Sequence, residues 1–275
     1  MAFTTTTAGA GGLLPEDFGD LLWQPTRDRS VALQVATVHQ TRYKEMHFPV
    51  VTALPSASWV AEMGTIPESD PDVETVIATP KKIAQITPVS LEMIRDSDPA
   101  ALTLVATSLA AALANGVDAA VFAAATATNG PTALGAVAAT VVDANGYTNL
   151  DPFIEAQAEA ASRGTRITAF VADPATYTLV RTLKTGTGSN AYLMDVSANG
   201  VSIGGTPLLQ SQNVPAGTVY GIPQDHFHAV VSTENEVSVS EHTKFAQYAV
   251  DVRAVIRVDF AYTYPEAIVK IAEVA

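Results

Sequence analysis

His226 and His228 stand two residues apart, a spacing that on a strand turns both imidazoles toward one ligand, and a shared metal ion is the chemistry such a pair could support. No glutamate or third histidine accompanies them at ligand spacing, so two half-exposed histidines are the alternative. Asp70, Asp72 and Glu74 alternate like the first ligands of a calcium loop. Thr75, however, stands where that loop needs glycine and Lys81 where it needs glutamate, so the motif fails. With Glu68 they leave four carboxylates at steps of two, which an extended segment lines along one face. That stripe is either a solvated edge that discourages strand pairing or a docking face neutralised by basic residues of a neighbour, with Arg27, Arg29 and Arg42 as donors. Gly186-Thr187-Gly188 follows a helix rather than joining strand to helix, and reads as a flexible loop more than a phosphate cradle. There is no G-x-S-x-G elbow, P-loop or H-E-x-x-H helix. The absence of cysteine removes disulfides, thiolate metal sites and cysteine nucleophiles. The sequence therefore predicts no catalytic, cofactor-binding or metal-ligating residue, and attention passes to surfaces.

The elements that carry the stripe are extended. Residues 31–38 have a strand-like pattern, and residues 43–51 continue it with Met46, Phe48 and Val50 on one face against Glu45 and His47 on the other. A second extended run covers residues 72–87, and the Pro- and Ser-rich stretch between makes residues 40–87 one drawn-out hairpin. Arms of about 15 residues would project on the order of 50 Å, and an isolated hairpin of that kind is marginal in water unless something outside it holds it. Trp59 and Met63 near its tip are expected as apolar anchors on another subunit, with packing inside its own subunit the alternative for Trp59. Residues 1–30 form a Thr-, Gly- and Ala-rich arm with no periodicity, in which Leu21, Leu22 and Trp23 are the residues expected to pin it.

Asp98-Pro99 is a cap and first-turn pair, after which Leu102, Val105, Leu109, Leu113, Val117 and Val121 recur at steps of three and four, predicting a long helix over 99–125. Asp151-Pro152 and Asp173-Pro174 start two shorter helices around a buried strand at 167–172. Turns at Asn199-Gly200 and at Gly204-Gly205-Thr206-Pro207 then open a strand-rich end. In the last long strand, Asp251, Arg253, Val255, Arg257 and Asp259 share one face and Val252, Ala254, Ile256, Val258 and Phe260 the other.

In 275 residues, 48% are hydrophobic and 16% charged, which excludes wholesale disorder and leaves much uncharged surface. The net charge of −13 repels phosphate backbones and argues against sequence-specific nucleic-acid binding. The uncharged stretches 99–117 and 119–142 consist mostly of small residues, are separated by Asp118 and broken at Asn129-Gly130-Pro131, and predict a buried helix rather than a membrane span. The first cation is Arg27, too late for a secretion signal, so export by that route is not expected.

Several segments in this order carry a resemblance. They begin with Trp59-Val60-Ala61-Glu62, Ile66-Pro67-Glu68-Ser69, Pro80-Lys81-Lys82-Ile83-Ala84 and Val89-Ser90-Leu91-Glu92-Met93-Ile94-Arg95-Asp96-Ser97. Ala172-Asp173-Pro174-Ala175-Thr176, Gly205-Thr206-Pro207-Leu208, Arg253-Ala254-Val255-Ile256-Arg257-Val258-Asp259-Phe260 and Pro265-Glu266-Ala267 follow. Together, in order and spacing, they resemble the major capsid proteins of tailed bacteriophages. The resemblance implies the α+β Hong Kong 97-type fold, with an N-terminal arm (1–30), a peripheral domain (31–140 with 245–275) holding the extended loop 40–87 and the spine helix 99–125, and a mixed axial domain (141–244). It further implies self-assembly through hexamers and pentamers into an icosahedral shell around double-stranded DNA, in a virion assembled in the bacterial cytoplasm. A portal is an implied partner, and the resemblance leaves open whether a decoration protein joins it. Two features depart from the best-known member. No lysine lies between Lys44 and Lys81 to cross-link the loop, and the chain opens directly on the arm, so a separate scaffolding protein is expected. An encapsulin-type compartment shares the fold and is an alternative, and a small metal-dependent hydrolase using His226 and His228 is a second.

Overall fold

The computed structural model describes residues 23–92, 100–138, 140–186, 189–194, 196–197, 200–233, 235–240 and 242–274. Leu21, Leu22, Asp98-Pro99, Thr187-Gly188 and Asn199 lie outside the described residues.

The end of the expected arm folds on the chain's own body. Residues 23–29 form helix α1, and Trp23, Thr26 and Ser30, at helical spacing, are buried. Ser30 caps the next helix, α2 (Val31–Val35), where a strand was expected, by accepting from the Leu33 N–H at 3.3 Å. Alanine 32, Leu33 and Val35 face the core from its buried side, which a strand would split between two faces. Strand β1 (Thr37–Thr41) follows.

The expected long hairpin is shorter than its sequence span. β2 (Met46–Ala53) pairs antiparallel with β3 (Asp72–Ala78), giving arms of 8 and 7 residues, or about 25 Å of paired ribbon. The run predicted over 72–87 is divided at Thr79-Pro80, because proline cannot donate to the ladder. Beyond it β4 (Lys81–Ser90) turns away and pairs over ten positions with β13 (Ala249–Tyr262).

Helix α3 (Ala100–Val121) buries Leu109, Leu113, Val117 and Val121, as the periodicity predicted, and stops four residues before position 125. The Gly135 N–H takes the Ala123 carbonyl at 3.2 Å, so the chain turns where the alanine run would let the helix continue. Gly135 is the second residue of the short α4 (Leu134–Val137), and a Cβ there would lie 2.6 Å from the Ala123 carbonyl oxygen, a close approach that needs glycine. Among the described residues no helix is long and apolar enough to cross a membrane.

Two sheets organise the rest. In the first, β1 runs parallel to β11 (Phe227–Ser232), which pairs antiparallel with β13. Residues 251–255 of β13 carry β12 (Glu236–Ser240) on one side and β4 on the other. The alternation read from β13 holds from Ala254 to Val258 but not at Asp259, which is buried. The second sheet has seven strands: β5 (Thr140–Asp143), β6 (Ala169–Ala172), β7 (Val196–Ser197), β8 (Gly200–Ile203), β9 (Thr206–Gln210), β10 (Val219–Ile222) and β14 (Val269–Ala272). Their spatial order is β5-β14-β10-β6-β9-β8-β7. The turn expected over Gly204-Gly205-Thr206-Pro207 is confined to Gly204 and Gly205, with φ of 56° and 83°, while Thr206 and Pro207 already belong to β9. The sheets exchange strands across the expected boundaries at 141 and 245, since β11 and β12 belong to the first and β14 to the second.

One core fills the space between the sheets, where Phe227, Phe260 and Tyr262 meet Val171, Tyr220 and Ile222. A second lies under α5 (Asp151–Ser162) and α6 (Pro174–Arg181), both near their predicted positions. Asp173 caps α6, accepting from Ala175 and Thr176 N–H at 3.1 and 3.2 Å, and its other oxygen accepts from Gly217 N–H.

Candidate functional site

The feature with most surface and least support is the β2–β3 hairpin. Its root rests on the outer face of the first sheet, where Met46, Phe48 and Val76 pack against Ala78, Val230 and Ala261. Farther out its residues are exposed, and the face that carries Val76 and Ala78 carries Asp72 and Glu74 instead. Glu68, Asp70, Asp72 and Glu74 are all exposed, and none enters an ion pair among the described residues. Arg27, Arg29 and Arg42 are exposed as well, and no ion pair inside the subunit joins them to the stripe among the described residues.

At the tip Trp59 and Met63 have relative exposures of 105% and 101%, so intrasubunit packing does not account for Trp59. Met63 sits at φ 62°, closed by a 2.9 Å bond from Gly64 N–H to the Ala61 carbonyl. A bulky side chain at positive φ costs of order 1–3 kcal/mol, so the turn presents Met63 at the expense of local stability. Trp23 goes the other way: 5% exposed, it joins the intersheet core and fastens α1 to its own subunit.

A histidine cluster edges the root. Phe48 stacks on His228 (centroids 4.8 Å apart, 11° between planes) and meets His39 edge-on at 5.4 Å. His39 Nε2 and His228 Nδ1 are 3.2 Å apart. Burial first, and then the charges of His39 and His226, hold His228 below its usual range, with Asp225 opposing. His226 lies in a 3₁₀ turn (Gln224–His226) before β11 rather than beside His228 on a strand, and the Thr263 hydroxyl lies 3.1 Å from its Nδ1. Sequence spacing could not pair His39 with His228, because only the parallel β1–β11 register brings them together. Among the described residues no group of three or more His, Asp or Glu could hold a metal ion.

Two buried carboxylates tie these parts to the body. Asp259 accepts from Thr79 N–H at 2.7 Å just where β3 ends, and burial raises its pKa against the pull of that bond. Asp118 of α3 accepts from the Ser30 hydroxyl at 2.6 Å and from Val31 and Ala32 N–H at 3.0 Å each, a second cap on α2; burial raises its pKa too. The chemistry on display is that of fastening and display: an anchored base, an acidic flank and an apolar tip.

The family model described as phage capsid family matches residues 10–272. Among solved structures, one from Mycobacterium phage Adephagia is similar with a TM-score of 0.73 at 18% identity, covering 90% of both chains. One from Gordonia phage Cozz has a TM-score of 0.71 at 20% identity, over 90% of this chain and 87% of the other. The capsid of an empty GTA particle gives 0.73 at 16% identity, over 100% and 96%. A comparison with curated proteins finds no match.

Proposed function

Because the chain belongs to the phage capsid family, and is accordingly a structural protein of a phage capsid with the Hong Kong 97-type fold, we propose that the β2–β3 hairpin is its main assembly device. In this reading, copies joined as hexamers and pentamers close into a shell around double-stranded DNA, and each hairpin lies across a neighbouring subunit. The observation that carries it is the tip: Trp59 and Met63 fully exposed on a ribbon whose acidic flank has no cation of its own between Lys44 and Lys81. Such a surface finds its apolar and electrostatic complement on another molecule. Arg27, Arg29 and Arg42 of a neighbour are the proposed partners of Glu68, Asp70, Asp72 and Glu74. The net charge of −13 supports a wall along which packaged DNA slides rather than sticks. The first sheet with α3 is proposed as the peripheral part and the second with α5 and α6 as the axial part. Assembly in the bacterial cytoplasm, with a portal as partner, belongs to the same proposal and is supported by the family alone. The comparisons favour neither the encapsulin-type shell nor the metal-dependent hydrolase.

Negative-stain microscopy of the purified chain tests the reading: closed particles are expected, and a protein that stays monomeric at every concentration overturns it. Trp59→Ala is expected to lower particle yield while leaving soluble, folded subunit unchanged, measured by sedimentation beside circular dichroism.

A further inference from the structure

A cavity of about 440 Å³ opens between the turn after β5, the side of α6, the loop before β10 and the end of β14. Leu179 and Ala272 give it apolar wall, and the buried Tyr147 lines it as well. The Tyr147 hydroxyl lies 3.1 Å from the carbonyls of Gly217 and Ile271 and is spent on the backbone. Two other hydroxyls are not spent. Thr176 and Thr218 line the same space and are 5% and 6% exposed, yet neither hydroxyl has a hydrogen-bond partner among the described residues. Neither is sealed from solvent, so both open into the cavity.

Charge decides what this space accepts. Glu273 stands at the rim, exposed and in no ion pair among the described residues, and no Lys, Arg or His lines the cavity. Burial first, and then the charges of Asp173 and Glu273, raise the pKa of Tyr147, so the wall feels both carboxylates. An anion is therefore repelled. A metal ion lacks its ligands, since no group of three or more His, Asp or Glu among the described residues could hold one. A wholly apolar guest would leave the threonine hydroxyls unpaired. An ammonium on a short carbon stem meets all three demands. We propose that the cavity binds a primary alkylammonium, with the Glu273 carboxylate answering its charge, the Thr176 and Thr218 hydroxyls accepting its N–H bonds, and its stem lying along Leu179 and Ala272. A free aliphatic polyamine and the side chain of a lysine on a protein partner share this chemistry.

Calorimetric titration of the purified full chain with cadaverine, and separately with Nα-acetyl-lysine amide, tests the site. Saturable binding at one site per subunit is expected; tighter binding of cadaverine assigns a free amine, and tighter binding of the lysine amide a protein lysine. Thr176→Val with Thr218→Val keeps the side-chain shapes and should weaken binding roughly tenfold, the scale of a hydrogen bond to a charged group. The same double variant should leave the unfolding midpoint unchanged or higher, since neither hydroxyl gives up a partner in the free chain. Glu273→Gln should weaken binding roughly fivefold, the upper range for an exposed charge pair. Glu155→Gln on α5, an exposed carboxylate outside the cavity and in no ion pair among the described residues, should leave it unchanged. No saturable binding of either amine, or full affinity in the threonine variant, overturns the site. So does an equal loss in Glu273→Gln and Glu155→Gln, which marks diffuse attraction to a chain of net charge −13.

Discussion

Asp118 shows what one side chain contributes when its partners lie far away in sequence. Its carboxylate takes three donors from residues 30–32, across 86 to 88 positions, and so fastens the segment after the arm to the long helix. Asp118→Ala leaves the Val31 and Ala32 N–H groups and the Ser30 hydroxyl without that acceptor, and is expected to cost ~2–3 kcal/mol. The midpoint of thermal unfolding should fall by about 5–10 °C, measured by calorimetry on unassembled subunit. In the sequence Asp118 is legible only as a charge interrupting two small-residue stretches; nothing near it names Ser30. Trp59 was readable as a residue outside its own subunit's core because a tryptophan in a Pro- and Ser-rich stretch has no local periodicity to join. Trp23 was less so, although its spacing to Thr26 and Ser30 was there to be seen.

At the scale of elements, the base of the hairpin is where acid should act. His228 is held below the ordinary histidine value of 6.5, so the folded root prefers the neutral imidazole that Phe48 stacks on. The stability it contributes is whole above about pH 6.5 and is lost as pH falls through its folded value. Hydrogen exchange of residues 46–53 and 72–78, corrected for intrinsic rates, should rise between pH 7.5 and 5.5 relative to residues 219–222, and His228→Phe should flatten the difference. A second test addresses the end of α3. Gly135→Ala drives a Cβ against the backbone of Ala123 and Ala124, which cannot rotate away, and an expected cost of ~2–3 kcal/mol should appear as a lower urea midpoint at unchanged slope. Alternation revealed β13, helical spacing α3, and Asp-Pro starts α5 and α6, because these signals are local. The break at Thr79-Pro80 was visible as a proline yet read through, since both flanking runs look extended. The stop of α3 was not visible, because it depends on Gly135, twelve residues downstream of the carbonyl it takes.

For the whole molecule, the unanswered charge of the hairpin gives the sharpest prediction. Asp70→Lys with Asp72→Lys should impair assembly several-fold while the subunit keeps its circular dichroism and unfolding midpoint, because both side chains are exposed and in no ion pair among the described residues. Normal particle yield would mean the stripe is only a solvated edge. The order of extended loop, long helix, mixed lobe and closing strands was legible along the sequence, and so was the family. The strand order was not, because β1 pairs with β11 some 190 residues away and β4 with β13 at comparable range, and neither segment advertises the other. The place of β14 between β5 and β10 has a temporal consequence. While the nascent polypeptide still lacks residues 269–272, β5 has no neighbour to join in its sheet, and the ribosome must deliver them before that layer can close. Each copy therefore closes this layer only once residues 269–272 have emerged, which keeps chains that still lack them out of a growing particle.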